Sequence, residues 1–504
     1  MTFLSELASR GSRVGVHRPW PRVVVDAETW RQAVLGIAAG EATLAGLWSD
    51  GEAVHLCLAD GAGGELMVAS LDCPERRFPS VAATHPPALR LERTIRDLYG
   101  LEPEEAPDRR RWLDHGRWGM REPLGRREPD PAAGDPYAFH PAEGAPLHQI
   151  PVGPVHAGII EPGHFRFSCS GETVVRLEER LGYVHKGIDG LLAGAPLETA
   201  ARVAARVSGD STVAYSIAFA RAVEASAGIE PPPRALYLRA LMAELERLAN
   251  HFGDIGAICN DASFSLIHAH CGILREHVLR VAAGCFGHRL MMDRVVPGGV
   301  AGDAAADGLV GVPVLIRTIR RRFPELIELY DSTASLQNRT VATGILKPEL
   351  ARRYGAGGFV GRASGRAVDA RKAPGYAPYP ELSFATAVRE EGDVDARVWV
   401  RIEEVKQSVS LLEQIVARLP DGPVAASAAP PGRPAEGLAV AEGFRGDVLA
   451  WVRLAPDGTV ARCHLRDPSW FQWPLLEAAI EGNIVADFPL CNKSFNCSYS
   501  GHDL

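Results

Sequence analysis

The sequence contains no two cysteines in CxxC spacing, although nine cysteines are spread along its 504 residues. The CxxC pair is a common way for a protein to present thiolates to a metal or an iron–sulfur cluster. We therefore predict that this chain holds no cluster of its own. The odd cysteine number and the absence of an export signal favour reduced, buried thiols in a cytoplasmic protein.

Long apolar segments are also missing. No uncharged apolar run approaches the ~20 residues that a membrane-spanning helix requires. The first residues, MTFLSELASRGSRVG, contain no apolar stretch typical of a secretory signal, and we predict none. Any attachment to a membrane is therefore expected to run through partner proteins.

There is no excess of positive charge. The formal net charge is −8, and the three arginines at 109–111 follow the acidic residues Glu104, Glu105 and Asp108. A nucleic-acid partner is excluded on these electrostatic grounds.

The first hundred residues have the pattern of a small α+β unit. A helical spacing follows Asp26, and three short strand-like runs come next: TLAGLW, AVHLCLA and ELMVASL. A second helical stretch ends at Gly100, a typical C-cap.

A proline-rich segment follows this unit. Residues 126–146 read RREPDPAAGDPYAFHPAEGAP, a composition that cannot build a core and that is typical of a linker. We predict an α+β domain over 1–125, a linker over 126–148 and a large domain over 149–504.

The large domain is predicted to be mainly helical with minor sheet. The clearest helix runs from Arg234 to Phe252, where apolar residues recur at i, i+3, i+4 and i+7 after three prolines that start it. Further predicted helices cover 174–195, 200–226, 272–293, 308–330 and 395–418. After a loop over 422–437, strand-like pieces follow near DVLAWVRL and TVARCHLR.

Several of these segments resemble one family, in family order along nearly all of residues 150–504. They are GPVHAGIIEPGHFRF (153–167), ERLGYVHKGIDGLLAG (179–194), ELERLANHFGDIGAICND (244–261), QNRTVATGILKPELARRYG (337–355), EGFRGDVLAWV (442–452) and RDPSWFQWPLLEAAIEGNIVADFPL (466–490). They resemble the large subunit of group 4 nickel–iron hydrogenases and the homologous 49-kDa-type subunit of respiratory complex I. The resemblance implies the fold of a nickel–iron hydrogenase large subunit for this domain.

The N-terminal domain is similar to the 30-kDa-type partner subunit of the same complexes. The similarity lies in LERTIRDLYGLEPEEAPDRRRWL (91–113). Fusion of the two subunits is known in several complexes of this kind, which supports the predicted two-domain organisation.

The resemblance implies that the metal ligands have been lost. The family supplies four cysteines from two CxxC pairs, because a nickel–iron centre requires soft thiolate sulfur. The matching positions here are Ser208, Ser211, Ser498 and Gly501. We therefore predict no metal in this chain, and we predict that the two segments converge on one cavity.

Two further features bear on the metal site. Cys497 lies one residue from a ligand position and Cys491 lies further away, so one shifted thiolate would still not make the site. The sequence ends at Leu504, and we expect no C-terminal extension of the kind that hydrogenase maturation removes.

Complex I uses the emptied cavity as a quinone headgroup pocket, with a histidine and a tyrosine as ligands. Here Gly209 occupies the tyrosine position, and either His156 or His164 matches the histidine. Asp261 matches the acidic residue that orients that histidine. Tyr215, one helical turn beyond Ser211, either points into the same cavity or packs in the core.

Glu161 matches a hydrogenase glutamate that passes protons to and from the metal site. In a partly apolar loop its pKa would be raised, which suits proton transfer near neutral pH. The alternative is a salt bridge to Arg166 or Arg206. The candidate catalytic residues are therefore Glu161, His164, His156 and Asp261. The candidate ligand-binding residues are Ser208, Gly209, Asp210, Ser211, Tyr215, Ser498 and Gly501.

The resemblance implies a subunit of a membrane-associated redox complex of the NADH-quinone oxidoreductase or hydrogenase-4 type. The expected acceptor is a quinone, and the expected partners are an iron–sulfur small subunit, which holds the clusters, and antiporter-like membrane subunits that move ions. The chain would lie peripherally on the cytoplasmic face of the inner membrane. Two alternatives stay open: an inert structural subunit, and a working hydrogenase with an unusual ligand set.

Overall fold

The computed structural model describes residues 2–61, 63–130, 136–144, 146–158 and 160–504. The helices are α1 (Phe3–Ser9), α2 (Ala27–Ala39), α3 (Leu89–Tyr99), α4 (Ile188–Leu192), α5 (Leu197–Ala204), α6 (Thr212–Ala227), α7 (Pro233–Asp261), α8 (Ser265–Phe286), α9 (Ala306–Ser332), α10 (Ala334–Thr340), α11 (Pro348–Arg353), α12 (Gly358–Arg362), α13 (Val394–Arg418), α14 (Ser469–Ile480), α15 (Phe488–Phe495) and α16 (Tyr499–Asp503). Among the described residues, no helix is long and apolar enough to span a membrane.

The strands are short in the first part of the chain and longer near its end. They are β1 (Ser12–Arg13), β2 (His17–Arg18), β3 (Arg22–Val24), β4 (Thr43–Ser49), β5 (Ala53–Ala59), β6 (Leu66–Asp72), β7 (Arg77–Pro79), β8 (Glu102–Glu104), β9 (Met120–Arg121), β10 (Glu128–Pro129), β11 (Leu147–Val152), β12 (His164–Ser170), β13 (Thr173–Arg180), β14 (Val295–Val296), β15 (Gly299–Val300), β16 (Ala435–Gly443), β17 (Gly446–Leu454) and β18 (Val460–Arg466).

The N-terminal unit is built on a five-stranded sheet in the order β1-β3-β6-β5-β4. β3 and β6 run parallel, and the other neighbours run antiparallel. The carboxylate of Asp26 accepts a hydrogen bond from the Thr29 N–H at 2.8 Å and so begins α2. Gly100 ends α3 with a φ of 67°. The predicted helices and strands of this unit are confirmed.

The two units share a sheet and a core. β2 pairs in parallel with β16, in a sheet of order β18-β17-β16-β2. Beside it, the rings of Trp48 and Trp451 pack with centroids 5.8 Å apart. A buried ion pair joins Arg22 to Glu436 at 2.9 Å. The N-terminal unit is therefore held to the large unit by packing as well as by the connecting chain.

The described residues of the predicted linker contact side chains of both predicted domains. Of its residues, 131–135 and 145 lie outside the described part of the chain. The guanidinium groups of Arg110 and Arg180 lie 4.8 and 4.5 Å from the ring centroid of Tyr137, and the His140 N–H donates to Glu178 at 2.8 Å. The described part is thus anchored on its neighbours; the domain boundaries stay a prediction.

The large unit is a helical bundle in which α7 packs against α8 and α13, and α9 packs against α8 and α13. α7 begins at Pro233. Proline lacks an N–H group, and at the first position of a helix that group would have no acceptor within the helix. The predicted helices around 234–252, 272–293, 308–330 and 395–418 are confirmed, as are the two predicted strands near the end. The predicted stretch 200–226 is divided between α5 and α6. β16 overlaps the predicted loop only at residues 435–437, and the sequence pattern did not predict this strand.

The helix predicted over 174–195 is wrong. Residues 173–180 form β13, which pairs antiparallel with β12 and places Arg180 opposite His164. Only residues 188–192 of the predicted stretch are α-helical. A helical interpretation assumes that charged residues face solvent, but Glu179 and Arg180 are buried, and Glu179 pairs with Arg90 at 3.2 Å.

Candidate functional site

The two segments that carry the lost ligand positions meet in the structure. Residues 208–211, here called the serine turn, connect α5 to α6, and residues 498–501, the C-terminal segment, begin α16. Ser208 Oγ and Ser498 Oγ lie 2.9 Å apart although 290 residues separate them in the chain. Ser498 also accepts from the Gly501 N–H at 2.9 Å, which caps α16. The two segments therefore meet as predicted, and a cavity that both of them line stays a prediction.

A charged pair sits beside the two serines. Arg445, on the turn between β16 and β17, donates to both oxygens of Asp210 at 2.8 and 2.6 Å. Ser208 Oγ donates to Asp210 at 2.8 Å, so the proton shared between the two serines comes from Ser498. Burial works to raise the pKa of Asp210, but the Arg445 guanidinium and the serine hydroxyls outweigh it and hold the pKa at about 2. Asp210 is therefore a carboxylate at neutral pH.

Tyr215 and Asp467 fill the space beside Gly501, the fourth of the matching ligand positions. The Tyr215 hydroxyl donates to Asp467 Oδ2 at 2.6 Å, and Tyr215 is fully buried. Burial and the neighbouring carboxylate raise the pKa of Tyr215 well above its usual value. A Cβ atom at Gly501 would lie 2.4 Å from Asp467 Oδ2. A cysteine at 501 would therefore require Asp467 to move.

The donor set does not fit a nickel–iron centre. Three hydroxyls and a glycine occupy the ligand positions, and such a centre requires thiolates. Burial raises the pKa of Cys491 to about 11 and that of Cys497 well above the usual thiol value, so both stay protonated thiols. Within the described part of the chain, no three His, Cys, Asp or Glu side chains are grouped so that they could hold a metal ion.

The two candidate histidines differ in what they contact. The residues between β11 and β12 (153–163, with 159 outside the described chain) are here called the first loop. His156, on this loop, bonds through Nε2 to the Gly163 carbonyl at 2.7 Å. His164 begins β12, bonds through Nδ1 to the Gly153 carbonyl at 3.2 Å and accepts from Arg166 Nε at 3.3 Å through its other nitrogen. Burial lowers the pKa of His164, which favours its neutral form.

Glu161 ties the first loop to the C-terminal segment. Its Oε2 accepts a hydrogen bond from the Ser500 N–H at 3.0 Å, in the first turn of α16. The alternative salt bridge is not formed, because Arg206 pairs with Asp293 at 2.6 Å and Arg166 bonds to His164. The expectation of a partly apolar surrounding is also wrong, because the loop carries Glu161 at the exposed surface.

Asp261 does not contact either candidate histidine. It is the last residue of α7, and the side chains that act electrostatically on its carboxylate include those of Lys493 and His268. Burial raises the pKa of Asp261. Among the described residues no hydrogen bond joins it to His156 or His164, so the expected orienting contact is absent there.

Gly209 borders a small cleft on the other side of the serine turn. A Cβ atom added at Gly209 would meet no atom within 4 Å. The cleft has a volume of about 100 Å³ and is lined by the serine turn, by α7 and by α8 and the residues that follow it. The position that carries the tyrosine in complex I is therefore open space in this chain.

Sequence reasoning missed Arg445 and Asp467. Both lie in segments that carry the family resemblance, EGFRGD and RDPSW, yet neither was assigned a role. An arginine or aspartate beside apolar strand residues was an available signal, because a buried charge requires a partner. Which partner it finds is decided by contacts between residues more than 200 positions apart.

Comparison with known proteins agrees with this geometry. A family model of the respiratory-chain NADH dehydrogenase 49 Kd subunit matches residues 267–437, and one of the 30 Kd subunit matches residues 54–132. Formate hydrogenlyase subunit 5 of Escherichia coli (strain K12) is 32% identical over 445 residues, 86% of this chain and 78% of that protein. The membrane-bound hydrogenase alpha subunit of Pyrococcus furiosus is 30% identical over 69% of this chain and 85% of that protein.

A solved structure has the same fold. It is a chain of the membrane-bound sulfane sulfur reductase, an archaeal respiratory membrane complex, with a TM-score of 0.67 and 25% identity over 71% of this chain and 98% of that one. The fold and the converging segments define a large subunit of the hydrogenase and complex I type. The chain belongs to the family of hydrogenase large subunits and complex I 49-kDa-type subunits, with a 30-kDa-type domain at its N-terminus. It is an oxidoreductase subunit of this family.

Proposed function

We propose that this chain forms a metal-free acceptor site in a membrane-associated redox complex. An iron–sulfur small subunit would deliver electrons, a quinone would receive them, and antiporter-like membrane subunits would couple the reaction to ion translocation at the cytoplasmic face of the inner membrane. The observation that carries the proposal is the meeting of the serine turn and the C-terminal segment in a hydrogen-bonded cluster that lacks thiolates.

Quinone reduction consumes two electrons and two protons, so the site must supply protons as well as a binding surface. His156 is the better placed of the two histidines, because its Nδ1 has no hydrogen-bond partner among the described residues while both nitrogens of His164 are engaged. A protonated His156 would donate from Nδ1 to a quinone oxygen. Glu161, exposed on the same loop, would exchange protons with water.

The cluster consists of Asp210, Arg445, Ser208 and Ser498. It would hold the shape of the site without changing its own charge. Asp210 and Arg445 neutralise one another, and the two serines complete their hydrogen bonds. In this proposal the serine turn, Tyr215 and the C-terminal segment contact the headgroup side of the site, and the headgroup approaches from the first loop.

One observation favours a second candidate, an inert structural subunit. The ionic and hydroxyl groups of Asp210, Arg445, Ser208 and Tyr215 already have partners within the chain, and such a satisfied cluster can serve stability alone. A working hydrogenase is the least favoured function, since its thiolate ligands are replaced.

The test is acceptor reduction by the purified complex with a water-soluble quinone analogue. The proposal predicts reduction in the wild-type complex and slower reduction after His156→Ala. His270→Ala, an exposed histidine on α8, is the matched control and should leave the rate unchanged. An intact wild-type complex that reduces no quinone analogue would favour the structural subunit.

A further inference from the structure

A second cleft lies where the N-terminal unit meets the sheet of the large unit. Its walls come from the turn between β4 and β5, from Arg76 after β6, from residues 124–126, and from Arg453 on β17 and Arg462 on β18. Its volume is about 350 Å³. None of the described residues that line it belongs to the serine turn, the first loop or the C-terminal segment, so the proposed function gives this cleft no role.

Four arginines line this cleft, and two of them are neutralised within the chain. Arg76 donates to Glu122 Oε2 at 2.7 Å. Arg453 lies 2.9 Å from the carboxylate of Asp50 and 2.7 Å from that of Glu436. These contacts engage Nε and Nη1 of Arg453 and leave its Nη2 without an acceptor among the described residues. The side chain is 26% exposed, so this donor can be reached by a ligand.

The other two arginines of the cleft, Arg126 and Arg462, pair with no carboxylate in the described part of the chain. Arg462 is half-buried and is held by backbone carbonyls: Nε donates to that of Asp50 at 3.2 Å, and Nη1 donates to that of Ala461 at 2.9 Å. Its Nη2 has no acceptor there. Arg126 is exposed, and so is Glu52, the remaining carboxylate of the lining.

The cleft therefore gathers positive charge on a chain whose formal net charge is −8. Unpaired guanidinium groups that share one concavity repel one another, and the concave wall strengthens their field, so an anion is attracted there. The two carbonyl groups fix the direction of Arg462 without neutralising it. Because this side chain is already ordered, little conformational freedom is lost when a ligand binds to it.

The arrangement of the arginines favours a phosphate group over a carboxylate. A carboxylate has two coplanar oxygens, which match a single guanidinium fork. A phosphate group presents three oxygens in different directions, and Arg126, Arg453 and Arg462 lie on three different segments of the wall. The cleft is also larger than a phosphate group, which leaves room for part of the molecule that carries it.

We propose that this cleft binds a phosphate-bearing ligand that bridges the N-terminal unit and the large unit. The Nη2 groups of Arg453 and Arg462 donate to two phosphate oxygens, and Arg126, at the start of the predicted linker, donates to the third. A soluble phosphate compound and a lipid headgroup share this chemistry. The inference is independent of the proposed function, because it involves none of the acceptor-site residues.

The test is binding of inorganic pyrophosphate to the purified complex, measured by isothermal titration calorimetry. The wild-type complex should bind one pyrophosphate per chain, and added salt should weaken the binding. Arg462→Gln should weaken it about tenfold or more, because a hydrogen bond to a charged group is lost. Arg126→Gln should weaken it less. It replaces an exposed side chain that makes no hydrogen bond within the described chain, so folding is not affected.

Two further variants separate a built site from general charge. Arg176 is the matched control, because it is also half-buried and held by two backbone carbonyls, those of His140 and Pro141 at 3.1 and 2.8 Å, but lines none of the clefts described for this chain. Arg176→Gln should keep the wild-type affinity. Glu52→Gln should tighten binding about two- to fivefold, because it removes a negative charge from the cleft.

Three outcomes would overturn the inference. They are no binding of pyrophosphate, equal affinities in wild type, Arg462→Gln and Arg126→Gln, and equal weakening in Arg176→Gln and Arg462→Gln. Tighter binding of succinate, a dicarboxylate, than of pyrophosphate would overturn the assignment to phosphate.

Competition identifies the source of the phosphate group. Displacement of pyrophosphate by phosphatidylcholine vesicles that contain phosphatidic acid, and not by phosphatidylcholine alone, would identify a lipid headgroup. Retention of pyrophosphate in the presence of both kinds of vesicle would identify a soluble phosphate compound.

Discussion

The cluster around Asp210 and the first loop both contact the C-terminal segment, and they differ in how their polar groups are paired. In the cluster, Asp210 and Arg445 pair with one another, and Ser208 and Ser498 close the remaining hydrogen bonds. On the first loop, Glu161 is exposed and His156 keeps one ring nitrogen without a partner among the described residues. In the proposed function, the cluster fixes the shape of the site and the loop supplies the groups that exchange protons.

Removing the charge pair is expected to have the largest effect. Asp210→Ala leaves the Arg445 guanidinium, only 5% exposed, without its carboxylate. We expect a loss of about 2–4 kcal/mol in the free energy of unfolding, since an uncompensated buried charge is costly. Glu413→Ala is the control: it breaks the Arg320 pair, in which the two side chains are 52% and 56% exposed, and should cost much less, because an exposed ion pair contributes little. Equal losses in denaturant titrations would mean that the cluster does not hold the two segments together.

Substitutions of the two histidines at the first loop should slow turnover and leave the free energy of unfolding nearly unchanged. A quinone oxygen without its donor loses about 1–3 kcal/mol, so His156→Ala should slow quinone reduction by about one to two orders of magnitude. His164→Ala should have a smaller effect on turnover, because both ring nitrogens are engaged within the chain. The reverse ranking would make His164 the donor. Unchanged rates in both variants would favour the structural subunit.

Glu161→Gln is expected to slow proton-coupled turnover by a few fold and to leave assembly intact. The glutamine oxygen can still accept from the Ser500 N–H, so only the titratable proton is lost. Glu172→Gln, at an exposed turn before β13, is the control for a surface carboxylate. If Glu161→Gln prevents assembly, the residue acts through its contact with the C-terminal segment.

Glu246 is expected to make the stability of the chain depend on pH. The pKa of Glu246 is about 8 in the folded chain against 4.5 in its ordinary environment, so the folded state binds the proton more tightly. Stability from this group is present below pH 4.5 and is lost as the pH rises towards 8. Wild type should therefore lose about 1.4 kcal/mol per pH unit relative to Glu246→Gln between pH 6 and 7. Parallel pH dependence of the two urea midpoints would mean that Glu246 is already ionised.

The contrast between the two regions also marks what the sequence could predict. The resemblance predicted that Ser208 and Ser498 would meet, because backbone geometry is retained even where ligands change. It could not predict that Arg445 would neutralise Asp210, since no local pattern reports which distant charges meet. The wrong helix over 174–195 has a similar cause, because the charges of Glu179 and Arg180 are buried rather than solvated.

The central claim is that this subunit works without a nickel–iron centre, and metal analysis of the purified complex tests it most directly. The account predicts no stoichiometric nickel and no hydrogen-dependent dye reduction, because Ser208, Ser211, Ser498 and Gly501 stand at the ligand positions. One nickel per chain, together with hydrogen-dependent dye reduction, would contradict it.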